Sequence, residues 1–312
     1  MSDAPLRKAL ARWGWTDASC AFVAGRENRV YRVRSGSFEA ALRLRRPGYR
    51  SRTEIMSELE WMAALADAGI TVPAPVASSG GRWVEEMEGT LADAVTWLDG
   101  IPLGVTGKPL RMADRAGTFA RLGCALARVH AASDAWRPPS GFQRTAWDRD
   151  GLLGDAPVWG RFWENPHLDT ETRDLLVAFR RAASDDLDAL EAPDFGLIHA
   201  DPVRENVLLH GDEVRLIDFD DGGFGYRLFD CATALAKNRH EPDLAHLRAA
   251  LLDGYRSERP LDDAALPLFL ALRAATYLGW IVPRMGEPGA RARLSRFVGD
   301  ARHWCGAYLD GR

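Results

Sequence analysis

Gly196–Asp230 reads GLIHADPVRENVLLHGDEVRLIDFDDGGFGYRLFD, and the rest of the chain is organised around it. His199, Asp201 and Asn206 lie on a loop between two short apolar runs, Phe195–Ile198 and Val207–Leu209. Asp218 follows a third run, Val214–Ile217. The last two runs flank the turn residues Gly211 and Asp212, a pattern that predicts short strands closed by a hairpin. Two carboxylates and a carboxamide thus stand where strands end, the layout of an active site.

The chain has 312 residues, 46% of them hydrophobic, enough for one large or two modest globular domains. A formal charge of −4 and a pI near 6.0 argue against nucleic acid as a partner, since phosphate neutralisation calls for a basic excess. Cys20, Cys124, Cys231 and Cys305 form no C-x-x-C pair, so reduced thiols of a cytoplasmic protein are expected, not a zinc knuckle or a disulfide framework. The opening residues lack a signal-peptide h-region. Ala264–Val282 is apolar enough to suggest a membrane, but Arg273 interrupts it and Gly279 weakens it, which favours a buried helix.

Outward from the centre, the N-terminal part mixes strands and helices. Leu6, Leu10 and Trp13 mark a short amphipathic helix ending near Gly14, and residues 21–44 alternate as three antiparallel strands around Gly25 and a Ser35-Gly36-Ser37 turn. Ile55, Leu59, Met62 and Leu65 lie on one face of a helix over 51–67, followed by strands near 82–86 and 92–98. The turn formers of residues 97–104 make a linker. Beyond it the pattern is mainly helical: 112–132, 168–190, about 230–238, 243–255, 264–280 and 290–309, with an irregular Trp-, Gly- and Pro-rich tract over 134–166. The expectation is an α+β chain of two lobes, residues 1–98 and 99–312, with the polar hairpin at their junction.

Asp201 and Asn206 are five positions apart and Asp218 stands twelve further on, the spacing of a phosphoryl-transfer site. That chemistry needs one carboxylate to take the proton of an acceptor hydroxyl, and an amide oxygen with a second carboxylate to hold Mg²⁺ against phosphates. On His199-Ala200-Asp201-Pro202-Val203-Arg204-Glu205-Asn206 and Ile217-Asp218-Phe219-Asp220-Asp221, followed by Gly225 and Phe229-Asp230, the chain resembles the aminoglycoside phosphotransferase family. This group includes choline kinases, type II homoserine kinases and bacterial stress-response Ser/Thr kinases.

The resemblance implies a protein-kinase-like fold with a small antiparallel-sheet N-lobe carrying one long helix and a larger, mainly helical C-lobe. It implies Asp201 as catalytic base, Asn206 and Asp218 as metal ligands, His199 and Asp230 as braces of the loop, and ATP with Mg²⁺ as cofactors. Nucleotide contacts fall by the same resemblance on Gly25 and Asn28 in the first hairpin, Arg43, Glu58, Trp97 and Asp99. One departure stands out. Only three of the 40 basic residues are lysines, Lys8, Lys108 and Lys237, and none lies on an N-lobe strand. Arg43 holds the place of the expected phosphate-binding lysine, with Glu58 as its helix partner and Glu54 and Glu60 as competitors. An arginine binds phosphate through a planar fork, not as a point charge.

Eleven residues separate Asp218 from Asp230 and Val203 stands two after Asp201, which favours a small hydroxyl acceptor over a protein. Asp220, Asp221 and Glu205 add negative charge that suits an amine-bearing acceptor. A stress-type Ser/Thr protein kinase and a nucleotide-binding scaffold are the other readings, the second motivated by Arg43. Tyr277, Trp280 and Trp304 read as core at helical spacing, with a pocket wall stacking on a cation as the other reading, and His240, Glu241 and His246 lack a third ligand for a metal.

Overall fold

A computed structural model of the chain describes residues 4–25 and 28–312. The expected first helix is α1 (Ala4–Arg12), whose Leu6 and Leu10, with Trp13, bury against Tyr31, Val33, Leu42 and Leu44. It seals one face of a sheet built from β1 (Ser19–Gly25), β2 (Asn28–Ser35), β3 (Phe38–Arg45), β4 (Val84–Met87) and β5 (Thr90–Thr96). The order is β1-β2-β3-β5-β4 and every pairing is antiparallel. Over the other face lies α2 (Arg52–Asp67). Its start is set by a capping box in which the Ser51 hydroxyl accepts from the Glu54 amide (3.2 Å) and the Glu54 carboxylate accepts from the Ser51 amide (2.8 Å). The stripe Ile55, Leu59, Met62 and Leu65 is buried, as the periodicity requires.

The segment after β5 differs from a plain linker. Ile101–Pro102 forms β6 and pairs antiparallel with Leu208 and Leu209 of the later hairpin. Then come α3 (Arg115–Ala135), β7 (Ala146–Trp147), α4 (Arg149–Leu153) and α5 (Thr170–Asp188). The Trp-rich tract is irregular yet ordered: Trp147 and Phe162 are fully buried, and Trp147 stacks on Phe229 at 5.5 Å.

The central stretch supplies β8 (Phe195–Ile198), β9 (Val207–His210), β10 (Glu213–Leu216) and β11 (Gly223–Tyr226), followed by α6 (Arg227–Ala236), α7 (Leu244–Arg256), α8 (Leu266–Trp280) and α9 (Ala290–Asp310). The hairpin is β9 with β10. β11, like the two-residue β6 and β7, is a strand that periodicity missed, here because half of it is glycine. It runs between β8 and β7, and a Cβ at Gly223 would lie 2.1 Å from the Thr145 carbonyl oxygen, so only a bare backbone fits. α6 starts at Arg227, three residues before the expected start, so Asp230 is inside the helix and does not cap it.

One large core joins α2 to the helices of the C-terminal part, and a smaller one lies under α1. The mixed architecture is the α+β, antiparallel-sheet-plus-helical arrangement that the sequence led one to expect. Among the described residues no helix is long and apolar enough to cross a membrane. α8 is instead almost wholly buried, Arg273 included.

Candidate active site

The loop after β8 is held from below. Asp230 accepts from the backbone amides of His199 (2.8 Å) and Ala200 (2.7 Å), and Ala200 takes a positive φ of 64° to make this possible. His130 on α3 reaches the same carboxylate through Nε2 (3.0 Å) while its Nδ1 meets the Tyr255 hydroxyl (2.7 Å). Burial would lift the Asp230 pKa, yet the contacts with His130 and His199 hold it below the usual carboxylate range. His199 is itself buried, which pushes its pKa down, so the neutral ring donates from Nε2 to the Ile217 carbonyl (2.9 Å) and accepts at Nδ1 from the Asp201 amide (3.3 Å). His199 thereby ties the loop that carries Asp201 to the strand end that carries Asp218.

Asn206 donates through Nδ2 to Asp201 Oδ2 (2.9 Å) and to the Asp201 carbonyl (3.0 Å). Its amide oxygen is thereby left available for a cation. The other Asp201 oxygen, Oδ1, accepts from Arg273 Nη2. Burial raises the Asp201 pKa and Arg273 opposes the rise.

Asp218 adopts a left-handed conformation, φ 67° and ψ 68°, uncommon for a residue with a side chain and found where a site demands it. Among the described residues no basic group pairs with it. Solvent reaches its carboxylate, but the protein packed around it, and then Asp220, Asp201 and Asp221, push its pKa up to about 8. Asp221 is pushed up to about 7, by burial first and Asp220 next. The Asp218 carboxylate, with no basic partner among the described residues, and the free amide oxygen of Asn206 fit a hard divalent cation. Asn206 and Asp218 would supply two ligands, with phosphates and water completing the shell, the usual arrangement for Mg²⁺. Among the described residues no three His, Cys, Asp or Glu side chains form a complete metal site by themselves.

On the sheet side, Arg43 donates to Glu58 (2.6 Å) and Asp93 (2.6 Å). Arg45, two residues on and so on the same strand face, donates to Asp93 (2.5 Å), Glu58 (3.1 Å) and Asp220 (2.7 Å). Glu58 is fully buried, and the facing Arg43, Arg45 and Arg144 outweigh the burial and bring its pKa down to about 2. Glu54 is engaged by Ser51 and Arg50, so it does not compete for Arg43. Trp97 Nε1 donates to Asp99 (3.2 Å), and Arg32 stacks over Trp97 at 4.4 Å and reaches the same carboxylate (3.3 Å). These two residues sit at the exit from β5, and among the described residues no hydrogen bond or ion pair links them to Asp201 or Asp218. Gly25 and Asn28 flank the turn at 26–27, which lies outside the described residues.

Several participants were not singled out as part of the site from sequence. Asp93 is the lone acid in the apolar run of β5, and Arg45 repeats Arg43 at a spacing of two, so a signal existed for both. Arg273 was noticed only as a charge that spoils a membrane span, and its role at Asp201 depends on the crossing of α8 beneath the loop. Tyr277, expected as core, accepts from Arg273 (2.7 Å) and belongs to the site. The acids expected to draw an amine are engaged: Asp220 by Arg45, Asp221 by Arg50 (3.2 Å), and Glu205 by the Thr106 amide (2.6 Å). Glu241 pairs with Arg115 and Arg204, not with the nearby histidines.

Residues 20–267 match the model of a phosphotransferase enzyme family. A homoserine kinase of Rhodopseudomonas palustris is 31% identical over 237 residues, covering 73% of this chain and 68% of that one. The solved structure of a microcompartment-associated aminopropanol kinase superposes with a TM-score of 0.86 at 28% identity, covering 99% of this chain and 98% of that one. An amicoumacin kinase solved in complex with AMP-PNP, Ca²⁺ and Ami shares the fold, with a TM-score of 0.76 at 23% identity over 97% of this chain and 93% of that one.

Proposed function

Since the chain belongs to the phosphotransferase enzyme family and is a small-molecule kinase with the protein-kinase-like fold, we propose that its donor is ATP, its metal Mg²⁺ and its acceptor a small hydroxyl compound. The observation that carries this reading is the convergence of Asp201, Asn206 and an unpaired Asp218 on one loop and one strand end. Homoserine and aminopropanol, named in two of the relatives, are both compact hydroxyl compounds, and a hydroxyl compound of that size is the acceptor class favoured here. In this assignment residues 1–98 bind the nucleotide and residues 99–312 carry the catalytic loop and the acceptor.

Asp201 accepts the hydroxyl proton as the acceptor oxygen forms its bond to the γ-phosphorus. The bond between that phosphorus and the β,γ-bridging oxygen breaks, and ADP leaves with the electron pair. Asn206 fixes the Asp201 carboxylate through Nδ2 and offers its amide oxygen, with Asp218, to the metal. A Mg²⁺ held there would neutralise phosphate charge. Arg43, steadied by Glu58 and Asp93, would meet the α- and β-phosphates, with Gly25 and Asn28 on the same side and Trp97 and Asp99 toward the base.

A panel of amino alcohols, hydroxy amino acids, sugars and aminoglycosides assayed for ADP release tests the reading. Asp201→Asn is expected to lower kcat by about 10²- to 10⁴-fold, the usual contribution of a general base, while the KM for Mg-ATP changes little. Full activity in that variant on the best acceptor removes Asp201 as the base.

A further inference from the structure

On the α8 side of Asp201 the structure collects hydrogen-bond donors without acceptors. Arg273 is fully buried, and beyond its Nη2 bonds to Asp201 and Tyr277 its Nε and Nη1 have no partner among the described residues. Its guanidinium stacks on Trp159 at 4.5 Å, whose own Nε1 is buried without an acceptor. Lys237, just past the end of α6, places its ammonium 3.3 Å from the ring centroid of Tyr277 and 4.6 Å from that of Phe297.

The acids whose field reaches Lys237 are Asp300, Asp201 and Glu205, and each is held by another group. Asp300 pairs with Arg239 (2.8 Å), Asp201 with Arg273, and Glu205 accepts from the Thr106 amide and hydroxyl (2.6 and 3.0 Å). Burial, and then Arg273, push the Lys237 pKa down to about 7. Lys237 is only partly buried, and aromatic faces attract an ammonium without replacing an anion beside it. Arginine and lysine side chains have no acceptor atoms, so a ligand group rich in them suits the Lys237 ammonium.

We infer that Lys237, backed by Arg273, forms a subsite for an anionic group on the acceptor, and that the preferred acceptor is therefore a hydroxy acid. This deepens the phosphotransferase reading and rests on it. Asp201, Arg273, Tyr277 and Lys237 touch in that order, so base and ammonium belong to one continuous group of side chains. The acceptor's hydroxyl lies at Asp201 and its carboxylate at Lys237. The lysine stands on the side of α6, α8 and α9, whereas Arg43 and its acids stand on the sheet side.

The test uses the full chain with Mg-ATP and three matched acceptors: L-homoserine, 4-hydroxybutyrate and 1-amino-2-propanol. The carboxylate-bearing pair is expected to show at least about tenfold higher kcat/KM than the aminopropanol, by ADP release. A charge-assisted hydrogen bond accounts for roughly 10- to 100-fold in binding. Lys237→Met is therefore expected to reduce the acid-over-alcohol preference by about that factor, through the KM for the acid. Lys237→Arg is expected to keep most of the preference, and together with the wild-type comparison it carries the test should Lys237→Met not fold. Equal use of all three acceptors, or an effect of Lys237→Met on the KM for ATP in place of the acid, overturns the subsite. ADP release with aminopropanol alone also overturns it and leaves the phosphotransferase reading standing, whereas no release with any acceptor of the wider panel removes both.

Discussion

Glu58 shows how tightly a single carboxylate is bound into this molecule. It is fully buried between two arginines that share it with Asp93. Removing one partner of a buried ion pair leaves charge uncompensated, at a cost of about 3–5 kcal/mol. Glu58→Gln should lower the urea midpoint by a corresponding amount, and an unchanged midpoint would mean that Asp93 alone suffices. Asp218 and Asp221 act in the opposite direction. Their folded pKa values, about 8 and about 7, lie above the carboxylate range, so the native state holds protons that the unfolded chain has released. Their contribution to stability is complete below about pH 4 and is lost as pH rises through 7 to 8. The metal-free protein should therefore gain more in Tm from Mg²⁺ at pH 8.5 than at pH 6, and Asp218→Asn should flatten that difference. Equal gains at both pH values would count against Asp218 as a ligand.

Among the elements, the crossing of α3 and α7 is the most exacting contact. An added Cβ at Gly123 would lie 2.0 Å from the Leu251 carbonyl oxygen, and one at Gly254 would lie 2.0 Å from that of Ala120. The two helices meet backbone to backbone, with a glycine from each. Overpacking of this kind costs about 1–3 kcal/mol, or more where backbone must move. Gly123→Ala should lower the Tm by several degrees in a calorimetric scan, while Gly306→Ala on α9, where nothing lies within 4 Å, should not. The placement matters for function because α3 carries His130 and α7 carries Tyr255, the pair that steadies Asp230 and through it the loop of Asp201.

Across the whole molecule, arginines join the sheet part to the helical part. Arg144 alone donates to the backbone carbonyls of Glu54, Phe219, Asp220 and Gly222, and Arg45 and Arg50 reach Asp220 and Asp221 from the other side. These bonds make the position of α2 depend on the segment after Asp218. The wild-type chain is expected to unfold in one cooperative transition, and Arg144→Ala to separate or broaden it when fluorescence and circular dichroism are followed together. Coincident single transitions in the variant would show that the apolar core couples the two parts unaided. Local pattern by itself determined the helices, most strands, the family resemblance and the trio of Asp201, Asn206 and Asp218, because periodicity and spacing record which face is buried and which loop bears polar groups. Arg43 with Glu58 was legible for the same reason. β11 was not, since glycine carries no periodic signal and its strand is decided by close approach to Thr145. The engagement of Asp220, Asp221 and Glu205 by cations and amides, and the gathering of Arg273 and Lys237 beside Asp201, were decided by tertiary structure alone. Those partners lie tens to hundreds of residues apart, and only the packing of β3 and the start of α2 on one side, and of α6 and α8 on the other, against the central loop brings their charges within reach.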